Sequence, residues 1–76
     1  MMQTKYVIKM KMPTRSDLDY FYCGEVKSGA QVFELKKSKA KRYNTMEDVS
    51  RDAFILQACH KASGEIYTVE TVRCRV

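Results

Sequence analysis

Lys36, Lys37, Lys39, Lys41 and Arg42 form the densest gathering of positive charge in the chain, just ahead of a helix-start signal. Such a run can hold phosphates, meet an acidic protein surface, or serve as a solvated link between a strand and a helix. Residues suited to catalysis are few. His60 is the only histidine, which excludes clustered imidazole metal sites and dyads that need a second ring. Cys59 precedes it, but consecutive helical residues point about 100° apart, so the two do not face each other as nucleophile and base. Cys23, Cys59 and Cys74 are odd in number and lack Cys-x-x-Cys spacing. They suggest a reduced cytoplasm rather than a disulfide framework, with a metal site shared by all three as the alternative. Glu25 and Glu34 can oppose one another across a hairpin, and Glu47, Asp48 and Asp52 cluster near the helix start. Paired carboxylates do glycoside or two-metal chemistry only in a cleft that excludes water. Here they suit capping and solubility. Gly24, Gly29 and Gly64 are isolated, so no glycine loop cradles phosphate. The expectation is a protein that is not an enzyme, with no cofactor and no metal.

The elements that position these residues are legible in the periodicity. From Thr4 to Met12 a period of two puts Tyr6, Ile8, Met10 and Met12 on one face and Lys5, Val7, Lys9 and Lys11 on the other, which predicts a strand with one buried face. Pro13 to Asp19 reads as a turn with polar residues, Tyr20 to Val26 as a second strand, Lys27 to Ala30 as a hairpin loop and Gln31 to Leu35 as a third strand. One helical turn around Ser38 to Ala40 and an extended piece at Arg42 and Tyr43 follow. Thr45 is an N-cap with Asp48 three residues on, in the place of the capping-box acid. The helix it opens runs to Ala62, with Met46, Val49, Ala53, Leu56 and Cys59 in one apolar stripe. Ser63 and Gly64 end it, and Ile66 to Val76 is a last strand. There Tyr67 and Val69 differ in parity from Val72, Cys74 and Val76, so either a bulge near Glu70 or Thr71 brings both groups to the core, or the strand is two-sided with Tyr67 and Val69 against another chain.

This order describes a single small α+β domain over residues 1–76: an antiparallel sheet of three to four strands covered by one main helix, ββ(β)αβ. At 76 residues the core is thin, since a chain of this size buries only roughly 60% of its extended surface. A hydrophobic content of 45% and a charged content of 30% belong to a globular chain, and the net charge of +5 favours acidic partners. The N-terminus alternates lysine with apolar residues and does not read as a signal peptide, and no stretch approaches about 18 consecutive apolar residues, so no membrane partner is expected.

The phrases KYVIK, YFYCGE, KKSKAKRYNTMEDVSRDA and IYTVETV, in this order, resemble small uncharacterised proteins encoded by bacteriophages and prophages. The resemblance falls on Tyr6 to Lys9, Tyr20 to Glu25, Ala40 to Asp48 and Tyr67 to Val72. It implies an accessory protein working in the cytoplasm of a host bacterium, and it carries over no catalytic residue.

Two binding readings follow. Phe54, Ile55, Ala58 and Ala62 form a second apolar helix face beyond the stripe that a sheet needs, which suits a host protein or a homodimer; the same residues can instead wrap toward the sheet edges. A free sheet edge offers strand addition as another mode. The alternative is a nucleic-acid surface: Lys36, Lys37, Lys39, Lys41 and Arg42, extended by Lys5, Lys9 and Lys11 and by Arg73 and Arg75, with Tyr20, Tyr22 or Tyr43 available to stack bases.

Overall fold

The computed structural model describes residues 2–25, 28–60 and 63–75. Strands β1 (Met2–Met12), β2 (Arg15–Glu25), β3 (Gln31–Glu34) and β4 (Ile66–Arg75) form one antiparallel sheet in the order β3-β2-β1-β4. Helix α1 (Met46–Cys59) covers one face of it, lying over β1 and β4. β2 begins five residues before Tyr20, the expected start, because Met12 pairs with Arg15 across a turn at Pro13 and Thr14. A ladder already begun continues through polar residues that have little strand propensity of their own.

The period-two pattern of β1 does set its faces. Ile8 and Met10 join Tyr22, Tyr43, Val49, Leu56 and Tyr67 in the core beneath α1, with Tyr6, Met12, Phe33 and Val69 packed around them. The opposite face is not simply solvated, as one buried face would require. Val7 and Phe21 are buried there under Ala40, with Val72 alongside, in a second small core. β4 is accordingly two-sided. Its register with β1 runs unbroken from Met2↔Arg75 to Lys11↔Ile66, so the bulge expected near Glu70 is absent: Tyr67 and Val69 serve one core and Val72 the other. A bulge lies instead in β2, between Tyr22 and Gly24, where Gly24 takes a φ of 115° that a side chain would resist.

Past the Lys9↔Phe21 pair the two central strands part. The segment that follows β3 fills the gap. It makes a single 3-10 turn at Lys37–Lys39, lays Ala40 on the second core, and then passes between the strands. Lys41 donates its backbone N–H to the Tyr22 carbonyl at 2.9 Å, and Tyr43 exchanges backbone hydrogen bonds of 2.8 and 3.0 Å with Tyr6. The Tyr43 side chain emerges in the core under α1, and its hydroxyl donates to Asp52 of the helix at 2.7 Å. Burial first, and the Asp52 carboxylate second, push the Tyr43 phenol well above its ordinary pKa, so it stays protonated and donating.

Thr45 caps α1 as expected, its hydroxyl accepting from the Asp48 N–H at 3.1 Å. Asp48 turns to Arg51 at 3.0 Å. Val49 and Leu56 are buried and Ala53 half-buried, but Met46 and Cys59, at the two ends of the expected stripe, are exposed. α1 ends at Cys59 with His60 as its C-cap, short of the expected end at Ala62, which itself lies outside the described residues.

Candidate functional site

α1 has an outer surface that the sheet does not use. Phe54 is 76% exposed and Ile55 50%, and Ala58 is exposed beside them. Phe54 does not wrap toward the sheet. Ile55 leans over a small cleft at the β2–β3 end, lined by Tyr22, Glu25, Gln31, Asp52 and Leu56. The core closes without either side chain, since Val49 and Leu56 fill the space between the helix and Ile8, Met10 and Tyr67. The far end of α1 is tied down by polar groups: His60 lies 2.6 Å from Gln31 of β3, and the Gln57 side-chain amide donates to the Glu65 carbonyl at 2.7 Å.

The basic residues are brought together only in part. Lys37 reaches Glu70 on the face opposite α1, at 3.3 Å. Lys41 extends on the helix side, 3.9 Å from Asp52 and 5.0 Å from the centre of the Tyr43 ring. Lys36, Lys39 and Arg42 are exposed and have no acidic partner within 4.0 Å among the described residues. Lys9 pairs with Glu70 at 2.6 Å, Lys11 with Asp19 at 2.9 Å, and Lys5 donates to Asn44. Arg73 and Arg75 do not extend that lysine face. They stand opposite Thr4 and Met2, whose parity is that of Ile8, on the helix side of the sheet. The tyrosines are also spent: Tyr22 and Tyr43 are buried and Tyr20 is half-buried, so they offer no open stacking platform.

Among the described residues no acidic or thiol constellation assembles either. Glu25 stands opposite Gln31 and Glu34 opposite Phe21, so these two carboxylates do not oppose one another. Cys23 is on β2 and Cys74 on β4 with β1 between them, while Cys59 is exposed on the helix. Burial pushes the Cys23 thiol upward, away from the reactive thiolate. Among the described residues no group of three His, Cys, Asp or Glu side chains is placed to hold a metal ion, and no helix is long and apolar enough to cross a membrane. Comparison with protein-family models, with curated proteins and with solved structures finds no match.

Glu70 is the charge that organises the face opposite α1. Its hydrogen bond from Lys9, then that from Lys37, hold its carboxyl below the usual value of 4.5 against the opposing effect of burial. A carboxylate with a depressed folded pKa adds stability that is fully present above its unfolded pKa and is lost as the pH falls through the folded value. Glu70→Gln is therefore expected to lower stability near neutral pH by up to about 1 kcal/mol, the group being partly solvated. Melting wild type and variant from pH 7 to pH 3 checks this: the gap should be constant above the unfolded carboxyl value of about 4.3 and should close only as the pH falls below it. A constant gap across that range would mean that the loss is one of packing.

Proposed function

We propose that this protein is a non-enzymatic protein-binding module, of the accessory type that its likeness to phage-encoded chains suggests, and that it works through the outer surface of α1. The observation carrying this reading is the exposure of Phe54 beside Ile55 and Ala58 on a helix whose sheet-facing side is already satisfied. An exposed aromatic ring with an aliphatic neighbour is the usual centre of a protein interface, where desolvation supplies most of the binding energy. Glu47 and Arg51, both exposed on the same helix, supply a polar rim.

The nucleic-acid alternative is favoured by one observation, the exposure of Lys36, Lys39 and Arg42. Against it stand the internal ion pairs of Lys37 and Lys41 and the burial of the stacking tyrosines. Two measurements separate the readings. Replacing Phe54 and Ile55 together by glutamine should leave the circular dichroism spectrum unchanged and abolish association, whether with itself or with a protein captured from bacterial lysate. A nucleic-acid complex of micromolar affinity at about 0.15 M salt, lost on replacing Lys36, Lys39 and Arg42 by glutamine, would sink the protein-binding reading.

A further inference from the structure

The cleft under Ile55 is lined by a deeply buried side chain whose polar end has no protein partner. Tyr22 is only 5% exposed, its ring lies 5.6 Å from that of Phe33, and its hydroxyl makes no hydrogen bond among the described residues. No fully buried side-chain oxygen among those residues is left unpaired, so this hydroxyl reaches open space, and it does so where Tyr22 lines the cleft. Glu25 of β2 and Asp52 of α1 line the same cleft. Burial first, then the charges of Glu25 and Asp52, push the Tyr22 phenol above its ordinary pKa, so it stays protonated with both carboxylates near it.

Neither carboxylate is fully used. Asp52 gives Oδ2 to the Tyr43 hydroxyl, with Lys41 3.9 Å from that same oxygen, and its Oδ1 has no partner among the described residues. Glu25 has neither a hydrogen bond nor an ion pair among them, and no cation stands in the cleft wall. Two carboxylates do not make a metal centre, since no group of three ligating side chains is placed for one among the described residues.

We propose that this cleft receives the side-chain ammonium of a lysine from the protein that docks on Phe54 and Ile55, with Glu25, Asp52 and the Tyr22 hydroxyl accepting its N–H groups. The contact deepens the protein-binding reading and rests on it for the source of the lysine. Size and donor geometry select this group. A volume of about 90 Å³ is well below the roughly 300 to 1,000 Å³ of sites that hold a free small molecule, so what enters is the end of one side chain. An ammonium is a compact charge with its donors around one nitrogen, which suits single acceptors on separate residues. A guanidinium is a planar fork that takes both oxygens of one carboxylate, and Asp52 has only Oδ1 to spare. Ile55, half exposed at the rim, offers an apolar wall to the lysine stem. The net charge of +5 opposes any cation at long range, but salt screens that repulsion over about 8 Å while the carboxylates act at contact.

A partly solvated ion pair is weak, so a free lysine derivative should bind only in the millimolar range. The 76-residue chain is titrated with Nα-acetyl-lysine methylamide at about 0.15 M salt while its backbone amide resonances are followed. Saturating shifts are expected at Glu25, Gln31, Asp52 and Ile55, and none from Nα-acetyl-norleucine methylamide, which keeps the stem and lacks the charge. Glu25→Gln should weaken the lysine probe about fivefold and Tyr22→Phe about threefold, and neither removes a hydrogen bond that the described fold uses. Shifts that do not saturate by about 50 mM, equal shifts from the norleucine probe, or binding untouched by both substitutions overturn the assignment. If the chain associates through Phe54 yet neither binds the probe nor responds to Glu25→Gln, the cleft is overturned and the protein-binding reading stands. If the probe binds but Phe54→Gln associates as the wild type does, that reading falls instead, and with it the source of the lysine.

Discussion

Replacing Tyr43 by alanine is expected to leave a large fraction of the chain unfolded at 37 °C. The ring sits in the core with Ile8, Val49 and Leu56, and its hydroxyl ties the crossing segment to α1 through Asp52. Deleting a buried aromatic side chain costs about 3 to 5 kcal/mol, and a domain of this length has roughly 4 to 11 kcal/mol in all. A thermal melt should fall by about 15 °C or more, given about 4 to 8 °C per kcal/mol for a domain this small. Tyr43→Phe separates the two contributions. It keeps the ring and loses only the hydroxyl bond, a loss of about 1 to 2 kcal/mol. An alanine variant melting within about 5 °C of wild type would show that the segment between β1 and β2 does not hold the fold.

The second large effect lies on the other face. Ala40 is buried against Val7 and Phe21, so a longer side chain there must displace them or open the second core. Ala40→Glu is expected to destabilise by about 3 kcal/mol or more near neutral pH, because a carboxylate there must be desolvated or must force the small core open. Burial raises the folded pKa of such a group, so the penalty is greatest above that value and fades as the pH falls toward the unfolded value of about 4.3. Urea melts at pH 7 and pH 4 read this, with Ser38→Glu as a control on an exposed position two residues away, where a change within about 0.5 kcal/mol is expected. If both variants melt alike, Ala40 is a surface contact and the second core contributes nothing.

Both experiments probe the segment from Lys36 to Tyr43, which shows most plainly where reading the chain succeeds and where it stops. Its local character is written in it: a turn near Ser38 to Ala40, an extended stretch at Tyr43 and a cap at Thr45 are all present. What it does between those points is invisible in sequence. Five positive charges look like a binding surface, yet Lys37 and Lys41 complete ion pairs with Glu70 and Asp52, residues far along the chain. Ala40 looks like a spacer and is the roof of a core.

The sequence by itself determined the order of the elements, which residues of β1 share a face, and the N-cap of α1, while it left open whether Phe54 and Ile55 stand exposed or wrap toward the sheet edges. Each is set by repeats of two or 3.6 residues or by groups within one turn, and such regularities are properties of neighbouring residues. Tertiary structure alone decided that β1 and β2 part after Lys9 and Phe21, that the chain crosses the sheet there, and that β4 runs without a bulge and serves both cores. These features depend on which strand pairs with which and in what register. That choice is made by contacts between residues distant in sequence, where a face that looks solvated along the chain becomes buried once another segment lies across it.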